Sequence, residues 1–545
     1  MCSIILLVSV CGLVQGQFRD NPLVSTKTGL IRGQKSEQGY SQFLGVPYAV
    51  VDKNNPFGAA VPHTGFDSIF EAYKSTTCPQ AENGTAIGTI DCLTLDIYVP
   101  TTTNSHDRLP VMVWIHSGGY ALYGSSAFGT PNFLVRNDVI VVAINYRLGI
   151  YGFMCLDIPE VPGNQGLKDQ VLALRWINEN IEAFGGNAKQ ITVFGESAGG
   201  MSINLHLLSS YESLFQKAII QSGTALSPWA LVESNITIPL ALAAALDFDT
   251  DDVHEALDYL ASIDPHTLTQ LASDLKITSV FGIRGTTPLL YPCIEKNIEG
   301  VEHFLTEDPV NLVSSKIINM PIIIGNTNNE MAFLYENADA DFFSKYNFDL
   351  VTLAFDFGDN LEDALSNVKH FYIGDEKASE NVKDEITDFA SDFIFNYPTQ
   401  RMAERFLDIG AKAVYRYIFS YSGDRNYIKT MRNLNSTGAI HGDELGYLFD
   451  SDMFDGDTIT PEDQLMIDRI TTLWTNFAKY GDPTPGTSEL LPVKWEPITK
   501  TSQPYLSLDS DLTLEARPFQ EKMSFWDDFY RSHRDQQKWL QDSNK

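Results

Sequence analysis

Residues 195–200 read GESAGG and place Ser197 between Gly195 and Gly199. The preceding run ITVF predicts a buried strand, and the residues that follow, as far as Leu208, predict a helix. This glycine–serine–glycine spacing is typical of a sharp strand-to-helix turn, because a side chain two positions to either side of the serine would collide. Such a turn points the Ser197 hydroxyl outward, where it could attack a substrate as a nucleophile.

A nucleophilic serine needs a histidine to accept its proton and a carboxylate to orient that histidine. Among the ten histidines of the chain, His441 lies between Gly438 and Gly442 on a predicted open loop, in the stretch STGAIHGDELGYLF. It is therefore the candidate base. Of the other histidines, His116 follows a predicted strand and His206 lies on the predicted helix after the turn. His254 and His370 lie in acidic helical surroundings, where a solvated role is favoured.

The elements that must position these residues alternate along the chain. The runs LPVMVWIH, DVIVVAINY, ITVF, KAIIQSG, MPIIIGNT and AVYRYIFS are apolar and of strand length, and QGLKDQVLALRWINENIEAFGG has helical spacing. Continuously apolar strands separated by helices predict an α/β protein with a mostly parallel sheet covered on both faces. Residues 232–275 predict a helical insertion. No repeat or long linker interrupts the chain, which favours a single unit.

The chain of 545 residues is acidic, with 38 basic and 70 acidic residues and a formal charge of −32. This charge would repel nucleic acid phosphates and anionic lipids, so we expect no nucleic acid partner. Such acidity usually indicates a well-solvated protein surface. The alternative is that the negative charge attracts cationic substrates. No His/Cys spacing suggests a zinc site.

The first residues, MCSIILLVSVCGLVQGQ, are typical of a signal peptide, although no Lys or Arg precedes the apolar run. Val14 and Gly16 stand at the positions before a cut at Gln17. We expect residues 1–16 to be a signal peptide and residues 17–545 to be one secreted, extracellular domain. The apolar run is shorter than the roughly 20 residues that span a bilayer, so we expect no membrane anchor.

An oxidising compartment would allow disulfides and glycosylation. Cys78 and Cys92 would close a short loop, so we expect a disulfide between them. We expect Cys155 and Cys293 to be buried free thiols. Sequons for N-glycosylation stand at three positions: Asn83, Asn235 and Asn435.

Several ordered segments resemble one family. FLGVPYAV, NPFGAA, DCLTLDIYVP, VMVWIHSGGY, INYRLGIYGF, GNQGLKDQ, FGESAGG, QSGT, HGDELGYLF, LWTNFAKYGDP and MSFWDDFY are similar to segments of type B carboxylesterases, the cholinesterase and carboxylesterase group. Within that group the chain resembles secreted insect esterases, such as antennal or odorant-degrading esterases. The resemblance covers nearly the whole mature chain and implies an α/β-hydrolase fold and a serine carboxylesterase.

The resemblance assigns a catalytic triad. It places the nucleophile at Ser197, the base at His441 and the acid at Glu330, in the stretch PIIIGNTNNEMAF. The chain order of serine, acid and histidine is the order that this fold shows. The sequence departs from relatives at Met331, where they commonly carry glycine.

The resemblance also assigns an oxyanion hole to the backbone N–H groups of Gly118, Gly119 and Ala198. Two glycines after a strand allow close approach to substrate, and Ala198 begins a helix whose N-terminal end attracts negative charge. Ser117 stands where relatives usually have a third glycine.

These residues predict two-step acyl transfer from a small-molecule ester, with no metal or organic cofactor. The loop between Cys78 and Cys92 has no aromatic residue, which disfavours a cholinesterase. Glu196 stands where juvenile hormone esterases typically have glutamine. Thr286 and Pro288 are expected to widen the acyl pocket, and Trp229 either lines that pocket or belongs to the core.

Volatile or pheromone esters, xenobiotic esters and juvenile hormone are the candidate substrates. A slow-turnover scavenger of esters or organophosphates and a non-catalytic adhesion relative are the alternatives. We expect a monomer, closed at its C-terminus by a helix that packs Phe525, Trp526 and Phe529 inward.

Overall fold

A large mixed sheet forms the centre of the computed structural model, which describes residues 22–103, 107–278, 289–454, 456 and 458–538. In chain order its strands are β1 (Gln34–Lys35), β2 (Tyr40–Pro47), β3 (Thr94–Pro100), β4 (Leu109–Ile115), β5 (Ile140–Ile144), β6 (Gly186–Glu196), β7 (Lys217–Gln221), β8 (Pro321–Thr327), β9 (Ala413–Phe419), β10 (Pro504–Leu508) and β11 (Leu512–Ala516). Their spatial order is β11-β10-β9-β8-β7-β6-β4-β5-β3-β2-β1.

The middle of the sheet, from β5 to β10, is parallel, and both edges are antiparallel. In register, Val193 of β6 pairs with Val113 of β4 on one side and with Ala218 of β7 on the other. Apolar side chains fill both faces because helices cover both, as the continuously apolar runs predict. The predicted mostly parallel sheet is confirmed.

Helices cover this sheet and form the insertion. They are α1 (Asn132–Val135), α2 (Gly149–Phe153), α3 (Gln165–Asn180), α4 (Ala198–Leu208), α5 (Thr237–Ala244), α6 (Val253–Ala261), α7 (Pro265–Asp274), α8 (Ala332–Tyr335), α9 (Ala340–Ser344), α10 (Leu361–Ile373), α11 (Lys383–Ser391), α12 (Tyr397–Ile409), α13 (Tyr427–Arg432), α14 (Leu445–Leu448), α15 (Pro461–Tyr480) and α16 (Gln520–Ser532). The predicted helical insertion is confirmed as α5, α6 and α7, and the apolar side chains divide into two core clusters.

Three small sheets lie outside the central one. They join Leu23–Thr26, Gly29–Arg32 and Phe70–Glu71; Ala49–Val50 and Val61–Pro62; and Gln80–Glu82 and Thr85–Ile87. The C-terminal helix α16 packs inward as predicted: Trp526 and Phe529 are buried and Phe525 is partly buried. Among the helices that the structure describes, none is long and apolar enough to cross a membrane.

The structure contains two disulfides. Cys78 and Cys92 are bonded as predicted. The expectation of free thiols at Cys155 and Cys293 is wrong, because these residues form a second bridge across a sequence separation of 138. Because the two cysteines are so far apart in the chain, no local sequence pattern predicts the bond. Gly163 leaves room for the bridge, since a Cβ there would lie 2.6 Å from the Cys293 sulfur.

Candidate active site

Ser197 occupies the turn between strand β6 and helix α4. Its φ of 54° and ψ of −118° are strained for a residue with a side chain. The turn has no room for a side chain at the two neighbouring glycines. A Cβ at Gly199 would lie 2.0 Å from the Ile115 carbonyl oxygen, and a Cβ at Gly195 would lie 2.6 Å from the same atom. The glycines are therefore required by the close approach of strand β4 to the turn.

His441 is held by Glu330, which lies just after strand β8. The Nδ1 atom of His441 donates to Oε2 of Glu330 at 2.6 Å. The other carboxylate oxygen of Glu330 accepts hydrogen bonds from the Ser222 hydroxyl at 2.6 Å and from the Thr327 N–H at 2.7 Å. With both oxygens engaged, the carboxylate has one orientation and fixes the plane of the imidazole ring.

The loop that carries His441 is fixed by Asp443. One oxygen of this buried carboxylate accepts from the Ile440 N–H at 2.8 Å and from the Asn426 side chain at 2.9 Å. The other accepts from the Lys429 N–H at 3.0 Å. Asp443 thus ties the histidine loop to helix α13, although burial raises the pKa of its carboxyl to about 6. The His441 N–H also donates to the Glu330 carbonyl at 3.2 Å.

Glu196 faces the other side of the imidazole ring. Its Oε1 atom lies 3.1 Å from Nε2 of His441. Burial alone would lower the pKa of His441, but the charges of Glu196 and Glu330 raise it to about 9. Burial in turn raises the pKa of Glu196, against the opposing effects of His441 and of a hydrogen bond from Ser117. Nε2 is the atom through which a base takes the nucleophile's proton, so Glu196 influences the reacting edge of the ring.

A third buried carboxylate stands behind this pair. Glu444 accepts from the Gln221 side chain at 3.1 Å. Burial, together with the charges of Glu196 and Glu330, raises the pKa of Glu444 above its usual range. Three buried acidic side chains therefore act electrostatically on one histidine.

The predicted oxyanion donors lie beside Ser197. Gly118 and Gly119 follow strand β4 with φ values of 109° and 58°, and Ala198 is the first residue of helix α4. A Cβ at Gly118 would lie 2.2 Å from the Leu122 carbonyl oxygen, so this position accepts only glycine. Both glycines line the cavity that Ser197 also lines.

This cavity has a volume of about 170 Å³ and brings Ser197, His441, Gly118 and Gly119 together. The remaining walls are largely apolar: Leu122, Tyr123, Phe128, Phe333, Leu334, Ile428 and Leu445. Ser117, Glu196, Arg432 and Gly442 complete the lining. A lipophilic group fits these walls, and a carbonyl could sit between the serine and the glycines.

The other candidate histidines have structural or solvated positions. His116 is buried and stacks on Tyr146 at 4.3 Å, and burial lowers its pKa to about 4. His206 contacts Gln170 at 2.8 Å, and burial lowers its pKa to about 3. His254 and His370 are exposed.

Trp229 is not among the lining residues of the cavity; it lies 6.0 Å from the ring of Phe395, which in turn packs 4.7 Å from His441. It therefore supports the site from behind. The expectation for Thr286 and Pro288 concerns residues outside the described part of the chain. Of the sequons, Asn83 and Asn435 are exposed and Asn235 is half-buried.

Sequence reasoning did not identify Ser222 or Asp443 as contributors to the site. Each lies inside a segment that carried the family resemblance, QSGT and HGDELGYLF, so the signal was a polar residue within a recognised motif. Their partners became visible only in the folded chain, since Ser222 and Glu330 are 108 residues apart.

Comparisons with known proteins agree with this geometry. The sequence profile of the carboxylesterase family matches residues 20–526. Juvenile hormone esterase of Tribolium castaneum is 34% identical over 500 residues, 85% of this chain and 84% of that protein. Esterase FE4 of Myzus persicae is 32% identical over 530 residues, 91% of each chain.

Among solved structures, juvenile hormone esterase from Manduca sexta, with OTFP covalently attached, matches with a TM-score of 0.80 and 26% identity. The match covers 94% of this chain and all of that one, and it confirms the expected α/β-hydrolase fold. Sequence and structural matches thus extend over most of the chain and agree on one family. The chain belongs to the carboxylesterase family and is a carboxylic ester hydrolase.

Proposed function

We propose that this protein is a secreted serine esterase that hydrolyses lipophilic carboxylic esters through an acyl-enzyme. The observation that carries the proposal is a single cavity lined by Ser197, His441 and two glycines in left-handed conformations, with Glu330 hydrogen-bonded behind the histidine. This set of groups supplies a nucleophile, a base, an orienting acid and backbone donors for an oxyanion.

In the first step, neutral His441 takes the proton of Ser197 as the serine oxygen attacks the ester carbonyl. The N–H groups of Gly118, Gly119 and Ala198 stabilise the negative charge of the tetrahedral intermediate. His441 then gives the proton to the departing alcohol. Water, deprotonated by the same histidine, attacks the acyl-serine; His441 returns this proton to the departing Ser197 oxygen as the carboxylic acid is released.

The apolar walls support medium to long hydrocarbon groups as the preferred substrates. The test is hydrolysis of nitrophenyl esters and alkyl acetates of graded chain length by the wild type, Ser197→Ala and Ser126→Ala, an exposed serine outside the cavity lining. We expect Ser197→Ala to lose about a million-fold in turnover. Unchanged activity in Ser197→Ala would refute the nucleophile.

A burst of nitrophenol equal to the enzyme concentration would support the acyl-enzyme. A burst followed by almost no turnover would instead support the scavenger function. A fluorophosphonate probe should modify Ser197, identified by peptide mass, and Ser197→Ala should remain unlabelled. Labelling of another residue in the wild type would contradict the proposal.

Juvenile hormone is a second candidate substrate. The observation that favours it is the name shared by the Tribolium relative and the Manduca structure. Comparing kcat/KM for juvenile hormone with that for a long-chain acetate decides between the two. A higher value for the hormone would make this protein a juvenile hormone esterase, and a much lower value would favour the volatile or xenobiotic esters.

Two disulfides support the proposed secretion, since such bonds persist in oxidising compartments. Expression in insect cells should place the protein in the medium with Gln17 as its first residue, as a monomer in sedimentation. Removal of N-glycans should lower its mass if Asn83, Asn235 or Asn435 is occupied. Retention inside the cell with Met1 intact would contradict secretion.

A further inference from the structure

The entrance of the active-site cavity carries a cation. Arg432, the last residue of helix α13, is exposed and lines the cavity together with Ser197. Among the described residues that line this cavity, it is the only lysine or arginine. The surrounding walls are mainly apolar, so its guanidinium is a distinct recognition element.

The contacts of Arg432 hold the guanidinium in place and leave donors available. Nη1 donates to the Phe333 carbonyl at 3.4 Å, and Cζ lies 5.2 Å from the centre of the Phe333 ring. Within the part of the chain that the structure describes, no carboxylate oxygen lies within 4.0 Å of this guanidinium. A basic residue in the last turn of a helix is favoured by the partial negative charge at the end of its own helix. Arg432 instead hydrogen-bonds to Phe333 of helix α8.

A guanidinium has five N–H donors in a planar fork that matches a carboxylate, sulfate or phosphate group. The cation–π contact with Phe333 restrains the guanidinium, which reduces the entropy lost when an anion binds. In a chain with a formal charge of −32, Arg432 places a positive charge at the point where substrate enters.

The position of Glu196 restricts where an anion could sit. Glu196 is buried at the inner part of the cavity, whereas Arg432 is exposed at its entrance. Tyr123, which also lines the cavity, is influenced by both charges: burial raises its pKa, Arg432 lowers it and Glu196 raises it further. An anionic group close to the reacting carbonyl would meet Glu196, and one at the far end would meet Arg432.

We propose that Arg432 selects esters that carry an anionic group at the end remote from the reacting carbonyl. This inference rests on the proposed function, because it assigns a substrate feature to the cavity of Ser197. The apolar walls then hold the hydrocarbon between the two ends.

The test uses two pairs of esters that differ only in a terminal carboxylate. In the first pair, 6-acetoxyhexanoate and hexyl acetate, the carboxylate is on the alcohol side. In the second, ethyl hydrogen suberate and ethyl octanoate, it is on the acyl side. The measured quantity is the kcat/KM of the charged ester divided by that of the neutral ester, in wild type, Arg432→Gln, Arg432→Met and Arg432→Lys.

We expect this ratio to fall by about threefold to tenfold in Arg432→Gln and Arg432→Met for one or both pairs. Arg432→Lys should keep part of the ratio. Arg175→Gln removes the same charge from a residue outside the cavity lining and should keep all of it. Added salt should narrow the gap between wild type and Arg432→Gln.

A ratio that is unchanged in Arg432→Gln and Arg432→Met for both pairs, while neutral esters are hydrolysed, would overturn this inference and leave the proposed function intact. An equal fall in Arg175→Gln would also overturn it, because net charge would then be the cause. No hydrolysis of any neutral ester by the wild type would overturn the proposed function and this inference together.

Discussion

His441 lies between two carboxylates with different effects on the reaction. Glu330 holds Nδ1 at 2.6 Å, and Glu196 lies 3.1 Å from Nε2, the edge that receives a proton in the proposed mechanism. Their charges raise the pKa of His441 to about 9 against the effect of burial. A protonated imidazole cannot act as a base, so activity should increase as the pH rises towards that value.

Replacing Glu196 by glutamine tests this balance. Glu196→Gln keeps the size of the side chain and removes the charge, so the pKa of His441 should fall. We expect the acid limb of the pH profile of kcat/KM to move to lower pH by about one unit. Glu179→Gln, an exposed glutamate beside Lys27, should leave the limb in place. An unmoved limb in Glu196→Gln would show that Glu196 does not control the histidine.

Some residues of the candidate site could be predicted from the sequence, and others could not. Ser197, His441 and Glu330 each stand in a motif whose order along the chain is informative, and the structure brings His441 and Glu330 into contact. Ser222 and Asp443 act only through hydrogen bonds formed after folding, and no local pattern encodes those partners. The close approach of Glu196 to His441 was hidden for the same reason.

At the turn around Ser197, the packing of strand β4 against helix α4 determines which residue type fits. Gly199 lies in helix α4, where propensity alone favours alanine over glycine by about 1 kcal/mol. A Cβ there would lie 2.0 Å from the Ile115 carbonyl oxygen, a backbone atom that cannot move without displacing strand β4. The steric conflict therefore outweighs the propensity.

We expect Gly199→Ala to destabilise the protein by about 3 kcal/mol and to abolish esterase activity. Gly486→Ala is the control, because no atom lies within 4 Å of a Cβ at that position. Urea unfolding, with esterase activity measured on the same samples, compares the two variants. Equal stability in both would contradict the close approach of strand β4 to helix α4.

The second disulfide joins distant elements. Cys155 and Cys293 close a loop with a sequence separation of 138, whereas Cys78 and Cys92 close one of 14. By chain entropy, the longer loop should contribute about 5 kcal/mol and the shorter about 3 kcal/mol. The double variant Cys155→Ala/Cys293→Ala should therefore unfold at lower denaturant than Cys78→Ala/Cys92→Ala. Peptide mapping without reduction should recover Cys155 and Cys293 in one linked pair, and alkylation of either residue in the unreduced protein would contradict the bridge.

The strands could be predicted from the sequence more readily than the contacts between distant elements. Continuous apolar runs identified the parallel strands β4 to β9, since burial on both faces leaves no polar alternation. The edge strand β11 and its neighbour β10 lack such runs, because β11 is largely exposed and alternate residues of β10 are only partly buried. Disulfide pairing depends on distances between elements, which no periodicity reports.

At the scale of the whole molecule, proton binding by buried groups makes the free energy of unfolding depend on pH, in the same range in which His441 loses its proton. Between pH 6.5 and 8 the native state keeps a proton on His441, whose pKa is about 9, while the unfolded chain loses it near its ordinary value. Glu444, whose pKa burial and the charges of Glu196 and Glu330 raise to about 8, acts in the same sense as His441. Lys217 and Lys316, whose pKa values burial lowers to about 8, act in the opposite sense as the pH approaches 8. His116 and His206 act only below 6.5.

The native state therefore binds more protons than the unfolded state in this window, and stability should fall as the pH rises. We expect the free energy of unfolding in urea to be lower at pH 8 than at pH 6.5 by about 1–2 kcal/mol. His441→Gln should reduce this difference, and Glu444 should account for much of what remains. Repulsion among surface charges is the competing cause, and salt separates the two because it screens exposed charges more than buried ones. A difference that disappears in 0.5 M salt (about 4 Å screening length), or that is as large in His441→Gln as in the wild type, would contradict the role of the histidine. If both expectations hold, the ester hydrolase gains its active base at the pH where its fold is weaker, because the same carboxylates that stabilise protonated His441 delay its conversion to the catalytic form.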